Sequence, residues 1–184
     1  LSSTISGMRA TGPTLATVGP GSSPHLAIEL FRRQAGFDGV HVPYNSSPVA
    51  LTDVSGGRIE FMFVNMPIAM TFIRGNRVRA VGIASPARST LLPDLPTIAE
   101  SGLPGFQSVG YAGAVAPAKV PPQIINKVNA EMVRALKMRD VQERIENLGG
   151  EPRWSTPAEF KRFLEDEIAR WAPVAREAGV KLER

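Results

Sequence analysis

The chain has 184 residues, 43% of them hydrophobic and 21% charged, with a net charge of +4 and no cysteine. That is the composition of an ordinary globular protein, long enough for one well-buried domain or one domain with a helical appendage. It excludes disulfides, thiolate chemistry and cysteine-ligated metals, and no run approaches the roughly 18 apolar residues that a membrane-spanning helix needs.

Positive charge is spread over Arg32, Arg33, Arg58, Arg74, Arg77, Arg79 and Arg88 and through the C-terminal third, mixed with acids. With aromatics at 7% and no RNA-binding or zinc-finger signature, a solvated basic surface is expected and a nucleic-acid partner is not. Leu1–Ala10 has neither the basic end nor the apolar centre of a signal peptide. The lack of cysteine fits an oxidising compartment without demanding one.

In chain order, Thr14–Val18 reads as a short strand stopped by Gly19 and Gly21. Pro24–Ala35 carries Leu26, Leu30, Phe31 and Ala35 at helical spacing, with Ser23 as its expected N-cap, Pro24 at N1 and Gly36 as its stop. Val40–Tyr44 reads as a strand and Ala50–Ser55 as a short helix. Ile59–Val64 is a continuous apolar run, the pattern of a strand buried on both faces. Ile68–Arg74 follows as a helix and Val78–Ala84 as a strand. Alternating strands and helices predict an α/β fold with a parallel or mixed sheet.

The proline- and glycine-rich stretch 85–110 marks the edge of this first unit. Tyr111–Ala116 reads as a small-residue strand. Three helices follow: from Pro121-Pro122 to about Leu136, over Val141–Leu148, and from a Thr156 cap through Trp171. Their apolar faces call for a sheet that this third of the chain scarcely supplies.

The stretch "VGPGSSPHLAIELF" joins the first strand to the first helix. Its glycines and the Ser22 and Ser23 hydroxyls fit either a capped turn or an anion cradle at a helix N-terminus. It is neither a P-loop nor a GxGxxG fingerprint. A Ser22/His25 nucleophile pair matches no nucleophile elbow, and His25 with His41 lacks the spacing of a metal site. Tyr44, at the end of the second strand, is a candidate to reach the same crevice. Asn65 ends the buried strand at the edge where open α/β sheets place ligands, while Asp53 is expected to be solvated.

The segments "GPGSSPHLAIELF", "VHVPYNSSPVALTDVSGGRIEFMFVNMP", "VRAVGIASPARSTLLPDLPTIAESGLPGF" and "NAEMVRALKMRDVQERIENLGGEP" occur in that order. Together they resemble the substrate-binding receptors of tripartite tricarboxylate transporters, the Bug family. The resemblance implies a periplasmic-binding-protein-like (type II) fold and a non-enzymatic periplasmic receptor. Such a receptor closes two lobes on a small carboxylate and delivers it to membrane permease subunits, without a cofactor or metal. It implies that residues 1–108 form the second α/β lobe with its anion-binding loop. Residues 109–184 would be the returning strand and C-terminal helices of a first lobe whose remainder is not included. The implied ligand-binding residues are Thr17, Val18, Gly19, Gly21, Ser22, Ser23, His25 and Tyr44, to which Asn65 is added from its place at the sheet edge.

Two departures from the family pattern are Val64 where an aspartate is common and Asn45-Ser46 in place of Lys-Gly. The lost carboxylate points toward a plain mono- or dicarboxylate rather than an amino-bearing ligand. A structural or oligomerising role through the incomplete lobe, and a Ser/His hydrolase, are the alternatives.

Overall fold

The computed structural model describes residues 7–8 and 12–180, so most of Leu1–Ala10 lies outside the described residues. Two compact units emerge: one takes in the chain up to Gly110 and again from Pro173, the other is Tyr111–Ala172.

The first unit is built on a parallel three-stranded sheet of order β2-β1-β3, where β1 is Thr14–Val18, β2 is Val40–Tyr44 and β3 is Phe61–Met62. β1 is central, and its Leu15, Ala16 and Thr17 have no exposed surface because both faces are covered. β2 is an edge strand, which is why it tolerates Pro43, a residue that has no N–H to give a ladder. Gly39 leads into it where a Cβ would lie 2.5 Å from the Pro13 carbonyl oxygen, so only glycine fits.

Between the strands run α1 (Ser23–Ala35), α2 (Ser47–Ser55) and, after β3, α3 (Met66–Arg74). The N-cap of α1 is Ser22, not the expected Ser23. Ser22 keeps an extended backbone and its Oγ accepts from the His25 amide, whereas Ser23 has already turned into the helix with Pro24. α1 ends at Gly36 in the left-handed region, with the Gly36 and Phe37 amides both donating to the Arg32 carbonyl. Phe31, 1% exposed, anchors the core through ring contacts with Phe37, Phe61, Phe63 and Phe106. α2 begins earlier than Ala50 because Ser47-Pro48 forms a helix start of the same kind as Ser23-Pro24.

Two expected strands are cut short. Of Ile59–Val64 only Phe61–Met62 pairs with β1. At its start side-chain bonds replace ladder bonds: the Thr14 amide donates to the Glu60 carboxylate and the Glu60 amide to Thr14 Oγ1. Of Val78–Ala84 only a single bridge survives, between Ile83 and Thr97. The stretch 85–110 is irregular but not loose, because Ile98, Leu103 and Phe106 are buried in the core. A reciprocal pair fixes its turn: the Thr97 amide donates to Glu100 and the Glu100 amide to Thr97 Oγ1.

The second unit holds α4 (Pro122–Leu136), α5 (Arg139–Asn147) and the first four turns of α6 (Pro157–Glu177). Thr156 caps α6 as expected, in a capping box with Glu159. Tyr111 packs edge-on against Phe163, 4.8 Å between ring centres. The expected strand Tyr111–Ala116 is absent: the segment is exposed, and among the described residues no strand lies alongside it to supply a ladder. No residue of α4 or α5 is buried.

Candidate functional site

Parallel pairing puts the carboxyl ends of β1, β2 and β3 on one edge of the sheet. Each strand leads from that edge into a helix, so the N-termini of α1, α2 and α3 all open there. The three starts share a pattern, a polar cap residue followed two positions later by proline: Ser22-Ser-Pro24, Ser46-Ser-Pro48 and Asn65-Met-Pro67. The Ser46 and Asn65 side chains make no capping bond, which leaves both groups free to meet something else. The chain moves from β1 to a neighbour on one side and then to β3 on the other, so the strand order reverses at β1. The crevice outside such a reversal is where open α/β sheets take ligands.

The loop after β1 is held from within. Ser22 N–H donates to the Gly19 carbonyl at 3.2 Å, and Gly21 N–H donates to His25 Nδ1 at 2.9 Å. Two of the loop's amides are therefore engaged. What the loop offers is the Ser22 hydroxyl hydrogen, the Ser23 hydroxyl, and the Ser23 amide, which as the first helical N–H has no carbonyl within the helix. Gly19 and Gly21 both have positive φ, 69° and 75°, and Val180 lies over Gly21 so closely that a Cβ there would be 3.0 Å from its methyl group.

His25 is 6% exposed and Thr17 wholly buried, so both lie beneath the loop rather than in the crevice. The His25 and His41 rings stack with centroids 4.7 Å apart and planes 2° from parallel. His41 Nε2 in turn meets Thr17 Oγ1. Burial first, and then the neighbouring His25, hold the His41 imidazole below its ordinary pKa. The His25 ring is turned to the Gly21 amide, and Ser22 Oγ accepts from the His25 backbone, so the two make no nucleophile–base pair.

Tyr44 departs from its expected position. Side chains alternate along a strand, and Ala16, Val42 and Tyr44 pack with Ala50 and Val54 of α2. Thr17, His41 and His25 occupy the α1 face. Tyr44 is thus across the sheet from His25, its hydroxyl donating to Asp53 Oδ2 at 2.8 Å. Arg58 donates to the other Asp53 oxygen, so Asp53 is an engaged acceptor and not simply solvated. The Tyr44 hydroxyl and Arg58 hold the Asp53 carboxyl below its usual range, and partial burial followed by this bond raises the Tyr44 phenol. Val18 pairs with Tyr44 at the end of the ladder, and Asn65 stands exposed beyond β3 with Gly110 close by.

Sequence reasoning passed over His41 and Ser46 as site residues. The signal for Ser46 was present in the repeated polar-x-Pro starts. His41 gave none, because its role comes from a stack between α1 and β2.

Among the described residues no group of three or more His, Asp and Glu side chains clusters as a metal site, and no described helix is long and apolar enough to cross a membrane. Residues 7–180 match the model of the tripartite tricarboxylate transporter family receptor. Protein BugT of Bordetella pertussis is 38% identical over 163 residues, 89% of this chain and 50% of BugT, so the chain spans about half the length of that relative. Rpa4515 of R. palustris, solved with adipate, superposes with a TM-score of 0.87 at 30% identity, over 98% of this chain and 61% of that one. MatC (Rpa3494) of Rhodopseudomonas palustris, solved with bound malate, gives 0.80 at 30% identity, over 95% and 61%. The architecture is that of the periplasmic binding proteins, and the family's members are binding proteins rather than enzymes. The chain belongs to the tripartite tricarboxylate transporter receptor family.

Proposed function

We propose that this chain forms one side of the ligand site of a periplasmic receptor, which binds a small mono- or dicarboxylate and delivers it to the permease of a tripartite tricarboxylate-type transporter. The observation that carries the reading is the meeting of three helix N-termini at one edge of the parallel sheet, where the strand order reverses. Each N-terminus favours a nearby anion by about 0.3–1 kcal/mol, and by up to about 2 in a partly buried setting. Hydroxyls and amides at Ser22, Ser23, Ser46 and Asn65 supply directional donors for a carboxylate without a fixed counter-charge. That suits a receptor, which has to release its cargo. Gly19 and Gly21 shape the loop, Val18 ends the strand that presents it, and Thr17 and His25 act from beneath. Tyr44 acts through Asp53 and α2, not by contact. The adipate and malate bound to two similar solved proteins favour this ligand class.

Calorimetric titration with adipate and malate, beside their dimethyl esters, tests the reading. Binding of the acids but not the esters is expected, weakened about fivefold by Ser22→Ala or Asn65→Ala, the equivalent of one hydrogen bond. Equal binding of acid and ester, or acid binding indifferent to both substitutions, contradicts it.

A further inference from the structure

The stacked histidines have a job that the anion cradle leaves unexplained. His25 Nδ1 accepts the Gly21 amide hydrogen at 2.9 Å, which fixes its ring as the neutral tautomer carrying its proton on Nε2. That Nε2 lies 4.0 Å from Glu29 Oε1, and Glu29 is itself committed to Arg32 at 3.0 Å. His41 covers the other side of the ring from β2, and its own Nε2 is engaged with Thr17 Oγ1 from β1. The charged and titratable groups facing the pair are thus Glu29 and Arg32 on α1, with each imidazole facing the other; β1 offers only the neutral Thr17.

A proton added to His25 Nδ1 turns the acceptor into a donor, so two N–H groups would point at each other and the hold on Gly21 would be lost. A proton on His41 places a charge in a parallel stack 4.7 Å from the neighbouring ring, within the electrostatic reach of Arg32. The first event frees the segment that carries Ser22 and Ser23, and the second disfavours the stack that orients the His25 ring.

We propose that the His25–His41 stack is the positioning device of the Gly19–Ser22 loop, which holds the loop in its binding shape only while both rings are neutral, so that carboxylate affinity falls on acidification. His25 and His41 are positioning residues here and do not touch the ligand. The inference rests on the carboxylate site proposed above, but the loop's response to pH is observable without any ligand.

The test is a pH titration of the ¹⁵N-labelled protein from 7.5 to 5.0 by NMR. The imidazole nitrogens and the Gly21 amide are followed together, and adipate affinity is measured calorimetrically at both ends of the range. At pH 7.5 an unprotonated His25 Nδ1 is expected, with a Gly21 amide slow to exchange; on acidification the Gly21 resonance should move with the same midpoint as the His25 nitrogens. The ratio of adipate Kd at pH 5.0 to that at 7.5 should be larger in wild type than in His25→Asn, whose amide oxygen can accept from Gly21 without titrating. One unit of coupling corresponds to about tenfold in that ratio. The protonation of adipate itself is common to both proteins and cancels. A Gly21 resonance that does not move with the histidine nitrogens overturns the proposal, as does an unaltered ratio in His25→Asn. If adipate fails to bind at pH 7.5, the carboxylate reading falls, and the loop device is then judged on the Gly21 titration alone.

Discussion

Around β1, strands, helices and the irregular stretch 85–110 converge on one aromatic core, with Phe31 touching four other phenylalanines. In Tyr111–Ala172 the helices are at least as regular, yet α4 and α5 bury no residue. Val128, at 50% exposed, and Met132, at 41%, lie on the apolar side of α4. Helix formation there rests on local devices such as the Thr156–Glu159 box, whereas the sheet unit rests on long-range packing. Regular secondary structure and a buried core are therefore separate achievements, and the candidate site sits on the unit that has both.

The largest expected effect tests that contrast directly. Phe31→Ala should destabilise the sheet unit by about 3–5 kcal/mol in urea unfolding, whereas Val128→Ala should stay within about 0.5 kcal/mol. Equal costs would mean that the α4 face is buried against something, and the contrast would collapse. Next come the caps. Thr156→Ala removes the two hydroxyl bonds of the box, leaving the backbone amide of residue 156 on Glu159, and should cost about 1–2 kcal/mol, while Ser22→Ala removes a single bond of 3.4 Å and should cost about 0.5–1 kcal/mol. Amide exchange should rank the same way, slowest in β1 and fastest in α5.

The smallest effect is one of pH. Burial lowers the His41 pKa in the folded state, so between that value and about 6.5 the unfolded chain binds the extra proton. Stability at this site is complete above about pH 6.5 and declines as pH falls through it. His41→Gln should flatten that part of the stability–pH curve; a curve of unchanged slope would place the titrating group elsewhere.

Much of the α/β pattern was legible in the sequence, because β1, α1, β2 and the C-terminal helices follow from spacing, caps and prolines. The strand at Val78–Ala84 was not. Its alternation is real, but a strand exists only through its partner, and just one bridge to Thr97 forms. Tyr111–Ala116 fails for the same reason. At the site, the loop, its glycines and Asn65 could be read locally. Ser22 rather than Ser23 as cap is a one-residue difference that dihedral angles decide. The face occupied by Tyr44 depends on register, and the His25–His41 stack on how α1 packs against β2, neither of which is written in any local motif.

The central claim is that a carboxylate sits against the three helix N-termini at the carboxyl edge of the sheet. Mapping backbone amide shifts during a titration with adipate tests it most directly. The account predicts that the largest changes fall on Gly19–Ser23, Ser46–Ser47 and Asn65–Met66, with α4 and α5 unmoved. Saturable changes centred on any other part of the chain, or none at all up to tens of millimolar adipate (Kd weaker than about 2–3 kcal/mol of binding), would contradict it.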